Sequence, residues 1–286
     1  MMSNLRSMFQ AVEFIEAHLK EEIAVADIAD AVFFSLYHFC RTFNKFVHHS
    51  PYDYLMRRRL SESAQELAQT DKKIIEIAFD YQFNSPEAYS RAFKRMFGTQ
   101  PSQWKKHGAI APRSLMSRLS FAHIKHRNRG DYLKPVLEEK DAFQVAGLMT
   151  LVNDDQTVIP RLWEMLAQEL QGIGEAAKPG RFYGITCYPK DWGQRGFFYL
   201  AAVEIATLDV VDSPLVVKTI PALKCARFIH IGPREDLRLT RDYIYQTWLP
   251  KSGRGVSHPL EIEYYGRDFR GADSAASERE IYIPIE

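Results

Sequence analysis

The N-terminal third of the chain repeats itself at an offset of 50 residues. Laying VADIADAVFFSLYHFCRTFNKFVHHSP on KKIIEIAFDYQFNSPEAYSRAFKRMFGTQP pairs Phe39 with Tyr89, Arg41 with Arg91, Phe43 with Phe93, and Pro51 with Pro101. Such self-similarity indicates one supersecondary unit used twice. Each copy contains a short helical pattern carrying Ile-Ala, a tight break and a longer helical pattern. The sequence therefore predicts two helix-turn-helix units.

The second, longer helix of each copy is amphipathic, with aromatic side chains on one face and polar side chains on the other. In a helix-turn-helix unit this helix lies in the major groove of DNA, where an Arg can bond guanine bidentately. The polar faces are therefore the candidate DNA contacts: Tyr37, Arg41 and Asn44 in the first copy, and Glu87, Ser90, Arg91 and Lys94 in the second.

Between the two copies the sequence predicts a single helix from Pro51 to Gln69. Its length is about 28 Å at roughly 1.5 Å per residue. Successive major-groove faces of B-DNA are about 34 Å apart. One chain can therefore place two reading helices on adjacent turns of DNA without forming a dimer.

Charge is divided unevenly along the chain, although 37 basic residues nearly balance 36 acidic ones overall. Residues 1–130 hold 19 Lys and Arg against 13 Asp and Glu, net +6, whereas residues 131–286 hold 18 against 23, net −5. This asymmetry favours one module with a basic surface and a second module of another kind.

The cysteines are too few and too far apart for a disulfide framework or a cysteine-based zinc site. The histidines near residue 48 lack carboxylate partners at ligand spacing, so neither a metal nor another cofactor is expected. The sequence also has no run of about 18 apolar residues, which excludes a membrane span. These features predict a cytoplasmic protein.

The run SPEAYSRAFKRMFGTQPSQWKK resembles the signature of the AraC/XylS family of transcription regulators, whose DNA-binding domain is two helix-turn-helix units joined by one long helix. The resemblance covers about residues 5–107. It implies a DNA-binding domain over residues 1–108, with double-stranded DNA and RNA polymerase as partners. The turn glycine expected in each unit is here Phe33 and Gln82. Since glycine relieves positions with positive φ, we expect turns with a different backbone or with some strain.

Residues 109–131 are predicted to be a basic linker, because helical periodicity fails there while Arg and Lys accumulate. Beyond it the order strand, helix, strand, strand occurs twice. An offset of 80 pairs Ala142 with Ala222, Trp163 with Tyr243, and Tyr183 with Glu263. The predicted chain is thus multi-domain: an all-α double helix-turn-helix domain, then an α+β domain of two β-α-β-β repeats with antiparallel sheet over residues 132–286.

The cleft expected between the two repeats can draw on many aromatic residues. In LEIEYY, strand alternation places Glu261, Glu263 and Tyr265 on one face. A carboxylate among aromatic rings suits a flat organic cation. The alternative is that Glu263 faces solvent and that the aromatic residues only form core. The candidate ligand-binding residues are Tyr183, Trp192, Phe197, Trp248, Glu263 and Tyr265.

A second resemblance covers about residues 132–286. The run KTIPALKCARFIHIGPREDLRLTRDYIYQTWLPKSG, followed by EIEYY and EIYIPI, is similar to GyrI-like effector-binding domains. The resemblance implies a buried Glu on a strand, here Glu263, and a nearby WLP tryptophan, here Trp248, that meet lipophilic and often cationic ligands. Ile262 departs from the aromatic residue usual at its place.

The sequence thus predicts a DNA-binding transcription activator, not an enzyme, whose C-terminal domain senses a small lipophilic effector. Two alternatives remain for that domain. It can hydrolyse its ligand, with Glu263 as general base and Tyr265 or Tyr183 as proton donor. It can instead bind a protein such as RNA polymerase, without a small ligand.

Overall fold

The computed structural model describes residues 2–107, 115–130, 133–153, 155, 157–173, 177–189, 196–207 and 215–286. The chain divides into two compact units. The first comprises Met1–Gly130 and Arg241–Pro250, and the second comprises Asp131–Thr240 and Lys251–Glu286. No helix among the described residues is long and apolar enough to cross a membrane.

The first unit contains the two predicted helix-turn-helix units. Its N-terminal part, where the structure describes residues 2–107 and 115–130, forms eight helices: α1 Met2–Ala17, α2 Val25–Ala31, α3 Leu36–Val47, α4 Pro51–Gln69, α5 Ile74–Asp80, α6 Pro86–Phe97, α7 Pro101–His107 and α8 Phe121–Arg127. The pairs α2–α3 and α5–α6 are the helix-turn-helix units. Helix α4 joins them with the bounds predicted from sequence.

Each helix-turn-helix unit has its own hydrophobic core. The first core gathers Phe39 and Phe43 of α3 with residues of α1 such as Met8. The second gathers Tyr89 and Phe93 of α6 with Trp104 of α7. Helix α4 contributes its N-terminal half to the first core and its C-terminal half to the second. The linking helix is therefore held by apolar packing at both ends.

The turns of both units use left-handed backbone at non-glycine residues. Phe33 has φ of 59° and Gln82 has φ of 62°. The expected strain is thus present, and the backbone is the one that glycine usually adopts. In each turn the next residue closes the end of the preceding helix, by N–H···O bonds from Phe34 to Ala29 (3.0 Å) and from Phe83 to Ala78 (2.9 Å).

Part of the segment expected to be a linker belongs to the first unit. Helix α8 is largely buried, and its Arg127 donates a hydrogen bond to the Val47 carbonyl at the end of α3. The neighbouring Asn128 side chain donates to the Phe46 carbonyl (2.9 Å). Residues 121–128 therefore satisfy carbonyls that the C-terminus of α3 leaves open.

Residues 241–250 also pack within the first unit. They lie in a helical stretch formed by a 3₁₀ turn Arg234–Asp236, α10 Leu237–Tyr243, a π-helix Ile244–Trp248 and α11 Leu249–Ser252. The Thr247 hydroxyl lies 2.9 Å from Nε2 of the buried His49, whose Nδ1 is 2.5 Å from Asp53. The Gln246 side chain accepts a hydrogen bond from the Ser117 backbone N–H (3.1 Å).

The second unit is built on one eight-stranded antiparallel sheet, with strand order β1-β6-β8-β7-β3-β4-β2-β5. The strands are β1 Val136–Lys140, β2 Phe143–Val152, β3 Ala177–Cys187, β4 Phe197–Ile205, β5 Val216–Ile220, β6 Leu223–Ile231, β7 Leu260–Tyr265 and β8 Glu278–Pro284, with helix α9 Val158–Ile173 between β2 and β3. The order is symmetric about the centre of the sheet: strands β1 to β4 of the first repeat occupy the same places as strands β5 to β8 of the second, counted from opposite edges. The predicted α+β duplication is confirmed, and each repeat begins with one additional strand, β1 or β5.

Short connections require this sheet to curl. Strand β1 lies at one edge, yet only Asp141 and Ala142 separate it from β2 near the opposite edge. The connection from β5 to β6 is equally short. The two edges must therefore approach each other. Helix α9 packs on the outer face with residues such as Ala146 and Tyr199, and we call this the helix face. The other face, which holds Tyr183, Ile262 and Tyr282, is called the inner face.

Candidate functional sites

The candidate DNA contacts of the first copy lie along the exposed side of α3. Tyr37 is 79% exposed, and Arg41 and Asn44 are exposed as well, while Phe39 and Phe43 are buried beneath them. Helix α6 repeats the arrangement: Glu87, Arg91 and Lys94 are exposed, and Ser90 is half-buried. The side chains that the sequence predicted for groove contact thus lie together on one side of each helix.

Helix α6 is positioned firmly on α4. The Tyr89 hydroxyl donates to the buried Ser63 hydroxyl (3.1 Å), and the Trp104 indole donates to the Ala64 carbonyl (2.8 Å). The Ser85 hydroxyl caps the start of α6 by accepting from the Ala88 N–H (3.1 Å), and Pro86 follows at the first helical position. These contacts hold α6, and α7 beside it, against α4.

The start of α6 also carries a favourable charge. Backbone N–H donation and the Ser85 hydroxyl lower the pKa of Glu87, and the positive charge of Arg91 lowers it further. Acidic residues stabilise helix N-termini, so Glu87 supports the reading helix as well as standing on its exposed side.

Two of the three consecutive arginines of α4 serve the interior of the first unit. Arg58 is buried and contacts Glu16 (2.7 Å) and Glu62 (2.7 Å). Arg59 is buried and donates to the Leu19 carbonyl (2.9 Å). Only Arg57 remains on the surface side, paired with Asp53 of its own helix (2.9 Å). Arg58 and Arg59 therefore stabilise the fold and are not placed to contact a DNA phosphate.

The second unit contains a carboxylate–aromatic cluster on the helix face of its sheet. Glu263 of β7 is 3% exposed and accepts a hydrogen bond from the Tyr265 hydroxyl (2.8 Å). The Tyr265 and Tyr199 hydroxyls are 3.2 Å apart. The Trp163 indole of α9 donates to the Tyr199 hydroxyl (3.2 Å). A hydrogen-bonded chain thus connects Trp163, Tyr199 and Tyr265 to the Glu263 carboxylate.

The hydroxyl of Tyr265 remains a donor. Burial raises its pKa well above the ordinary value, and the neighbouring Glu263 charge adds to this increase. The ring of Tyr265 also stacks edge-on with Trp163 (5.2 Å between centroids) and with Phe269 (4.8 Å). The carboxylate therefore lies beside several ring faces and edges, which suits a lipophilic cation.

Gly184 makes room for the pair of tyrosine hydroxyls. It lies opposite Glu263 in the β3–β7 ladder. A Cβ atom at this position would come within 2.2 Å of the Tyr199 hydroxyl and 3.1 Å of the Tyr265 hydroxyl. The two tyrosine hydroxyls can therefore approach each other only because residue 184 is glycine.

Tyr183 does not join Glu263, in contrast to the sequence expectation. It pairs with Tyr264 in the ladder, and both lie on the inner face, opposite to Glu263. The offset of 80 that relates the repeats elsewhere pairs Tyr183 with Glu263, but the register of β3 shifts between Ala177 and Phe182. A shift of one residue moves a side chain to the other face of a sheet.

Tyr183 belongs to a separate charged group on the inner face. Its hydroxyl donates to Glu204 (2.9 Å), which also contacts Lys178 (2.7 Å) and Arg181 (3.2 Å). Although partial burial opposes ionisation, these donors lower the pKa of Glu204. This carboxylate is thus paired with cations of its own chain on the inner face, and the Glu263 carboxylate, which accepts from the Tyr265 hydroxyl, lies on the helix face.

The remaining predicted ligand contacts are dispersed. Phe197 lies on β4 and packs on the core beneath α9. Trp248 ends the π-helix, in the segment that belongs to the first unit. Trp192 lies outside the described residues.

Sequence reasoning missed Arg279, which is only 2% exposed on β8. Its guanidinium carbon lies 5.8 Å from the Tyr265 ring centroid and 5.5 Å from that of Phe269. The sequence could have indicated this burial, because Arg279, Ile281 and Ile283 are spaced by two residues and therefore lie on the same, apolar face of the strand. Within the described part of the chain, no group of His, Cys, Asp and Glu residues forms a metal site.

Two models of known protein families match this chain, one in its N-terminal part and one in its C-terminal part. The model of a helix-turn-helix domain matches residues 28–107. The model described as "integron-associated effector binding protein" matches residues 136–285.

Curated relatives match the first of these regions. The activator AarP of Providencia stuartii is 35% identical over 92 residues, which cover 32% of this chain and 68% of AarP. YbfP of Bacillus subtilis is 40% identical over 100 residues, which cover 35% of this chain and 34% of YbfP. The regulator Rob of Salmonella typhimurium is 32% identical over 105 residues, which cover 35% of this chain and 36% of Rob. The match thus spans about a third of the length of YbfP and Rob.

Solved structures resemble larger parts of the chain at low identity. A structure of an EcmrR–DNA complex aligns with 92% of this chain and 98% of the EcmrR chain, at 17% identity and a TM-score of 0.47. SAV2435 bound to tetraphenylphosphonium aligns with 54% of this chain and 94% of its own, at 15% identity and a TM-score of 0.44. Together, the two family matches and the relatives show that this chain belongs to the AraC-type helix-turn-helix transcription regulators and that it carries a GyrI-like effector-binding region of the integron-associated family.

Proposed function

We propose that this protein is a sequence-specific DNA-binding transcription activator whose second unit binds a small lipophilic effector. The observation that carries the effector part is the buried carboxylate of Glu263, which a hydrogen-bonded chain of aromatic side chains contacts. The observation that carries the DNA part is the pair of equivalent exposed faces around Arg41 and Arg91. The relative AarP, itself described as an activator, supports the direction of regulation.

In this proposal affinity for DNA comes mainly from phosphate contacts, and sequence preference comes from the exposed faces of α3 and α6. Arg41 and Arg91 are the guanine-reading candidates, since a guanidinium bonds two guanine acceptors at once. The surrounding polar residues on the same faces, Tyr37, Asn44, Glu87, Ser90 and Lys94, contact neighbouring bases or phosphates. RNA polymerase is the proposed protein partner of the DNA-bound activator.

Selection of a preferred duplex from a random library, followed by anisotropy titrations, tests the DNA part. We expect Arg91→Ala to weaken the selected site by about 1–3 kcal/mol and to relax preference at one base position. Arg6→Ala, which changes an exposed arginine of α1, is the matched control and should leave both quantities unchanged. An equal loss on every duplex would limit Arg91 to a phosphate contact, and no selectable site would refute sequence-specific binding.

The effector part is tested with tetraphenylphosphonium and a neutral analogue, triphenylphosphine oxide, by following tryptophan fluorescence. We expect saturable binding of the cation that Glu263→Gln weakens, because the carboxylate supplies the countercharge. Glu204→Gln is the matched control, since it changes a buried carboxylate on the inner face that its own cations already neutralise. Absence of saturable binding would refute the effector site and favour a protein-binding role, and chemical change of the recovered ligand would favour hydrolysis.

A further inference from the structure

Arg279 brings a buried positive charge to the same cluster as Glu263. Strand β8 pairs with β7 so that Ile281 lies opposite Glu263, and Arg279, two residues away from Ile281, is on the same face of the sheet. Its guanidinium approaches the ring of Tyr265, whose hydroxyl donates to Glu263. The cluster therefore holds Arg279 and the Glu263 carboxylate on either side of a shared tyrosine, and Glu261, buried on the same face of β7, is a second carboxylate.

The surroundings of Arg279 satisfy its guanidinium only in part. Nε is buried and has no hydrogen-bond partner among the described residues. One Nη2 contact to the Ala272 carbonyl is long, at 3.5 Å. The rings of Tyr265 and Phe269 compensate the charge, but a ring face accepts no conventional N–H hydrogen bond. A buried guanidinium keeps its charge, so an acceptor placed against it gains a charge-assisted hydrogen bond.

A purely cationic ligand pairs with the carboxylates of this face but not with Arg279. Glu263 attracts it, whereas Arg279 repels it within the same low-dielectric surroundings. A ligand that carries a negatively charged acceptor as well as a positive centre pairs with both residues. We propose that Arg279 is the second charged contact of the effector site and selects zwitterionic aromatic ligands, whose carboxylate it binds while Glu263 faces their cationic centre. This inference rests on the proposed effector site and names its ligand class.

A matched pair of probes tests the inference. (4-Carboxybutyl)triphenylphosphonium is zwitterionic at neutral pH, and pentyltriphenylphosphonium has the same chain length without the carboxylate. We expect the full-length wild-type protein to bind the zwitterion at least about tenfold more tightly, as a charge-assisted hydrogen bond to a buried partner predicts. The methyl ester of the zwitterion, which keeps an acceptor but loses the charge, should fall between the two.

The variant Arg279→Met assigns this preference to one side chain. Methionine has similar length and retains contact with the two rings, so the preference for the zwitterion should vanish while the simple phosphonium binds as tightly as before or more tightly. A structural role alone would weaken both probes equally. Arg279→Lys retains the charge but not the Nε donor, and should keep a reduced preference.

The outcomes separate the two proposals. Equal affinity of the wild-type protein for both phosphonium probes overturns the role of Arg279, and leaves the effector site intact if Glu263→Gln still weakens binding. Failure of the wild-type protein to bind either probe overturns both proposals. If Arg279→Met does not fold, as judged by circular dichroism, the three-probe series on the wild-type protein decides the question alone.

Discussion

Three non-glycine residues described in the helical unit, Phe33, His48 and Gln82, have the left-handed backbone that glycine usually adopts, and two of them lie in the turns of the helix-turn-helix units. Phe33 is 97% exposed, so its ring contributes little packing energy that would justify the positive φ. Gln82 has the same backbone, but its side chain donates a hydrogen bond to the Lys20 carbonyl (2.7 Å). The strain of the first turn is therefore uncompensated in the fold, whereas that of the second is partly offset.

Replacement of Phe33 by glycine should stabilise the first unit. The left-handed conformation costs a non-glycine residue about 1–2 kcal/mol, which the substitution removes. Glycine also gains conformational freedom in the unfolded chain, and this reduces the net stabilisation. We expect Phe33→Gly to raise the free energy of unfolding by about 0.5–1 kcal/mol in urea unfolding followed by the helical circular dichroism signal. Gln82→Gly should gain less, because it loses the bond to Lys20. Destabilisation by Phe33→Gly would show that the exposed ring has a partner in the folded protein.

Gly184 is the residue on which the carboxylate–aromatic cluster depends most directly. Gly184→Ala places a methyl group against the Tyr199 hydroxyl, and we expect a loss of about 1–3 kcal/mol of stability together with weaker phosphonium binding. Removal of that hydroxyl in Gly184→Ala/Tyr199→Phe should restore part of the stability. If the double variant is no more stable than Gly184→Ala, the clash is not with Tyr199.

At the scale of elements, helix α4 carries neighbouring arginines that form ion pairs in different surroundings. Arg58 forms a buried pair with Glu16, whereas Arg57 forms a surface pair with Asp53 one turn earlier on the same helix. We expect Arg58→Met to cost about 3–5 kcal/mol, since it leaves Glu16 buried without its cation. Arg57→Met should cost about 0.5 kcal/mol or less. Equal effects in thermal unfolding would contradict this division.

The sequence was sufficient for elements whose pattern is set by burial. The start of α4 was predicted because Ser50 and Pro51 form a helix-start signal. The exposed faces of α3 and α6 were predicted because each of these helices buries an aromatic face. Strands β1 and β5 were not predicted. They are edge strands of five residues with partly exposed faces, as in VLEEK, so they show no regular apolar alternation.

The candidate site was predicted in part for a related reason. Alternation within LEIEYY placed Glu263 and Tyr265 on one face correctly. The expectation for Tyr183 came from the offset of 80 between the repeats, whereas the β3–β7 ladder pairs Tyr183 with Tyr264 and Gly184 with Glu263, which places Tyr183 on the opposite face. Register between distant strands comes from tertiary packing, which one strand's residues do not encode.

At the scale of the whole molecule, the chain passes between the two units three times, at residues 130, 240 and 250. The segment that returns, Arg241–Pro250, contains a five-residue π-helix with buried Thr247 facing His49. This hydrogen bond joins residues 198 positions apart in the sequence. The helical unit is thus completed by residues from the C-terminal part of the chain.

Loss of this contact should destabilise the first unit specifically. We expect Thr247→Val, which is nearly isosteric, to cost about 1 kcal/mol and to speed amide hydrogen exchange around α3 and α4. Thr240→Val is the matched control, because the Thr240 hydroxyl bonds His230 of the second unit (2.7 Å). That control should affect exchange in β6 instead. An unchanged exchange rate near His49 in Thr247→Val would show that the returning segment adds no stability.

The returning segment also has a consequence for inheritance. Modular regulators evolve readily when a single genetic crossover can exchange one domain for another. A crossover near codon 130 of this gene would give the helical unit a foreign C-terminal half, and His49 would then meet a segment that had not been selected beside it. We therefore expect substitutions around His49 to be accompanied by substitutions around Thr247 among descendants of this gene. Its two halves should then be inherited together and not be exchanged separately.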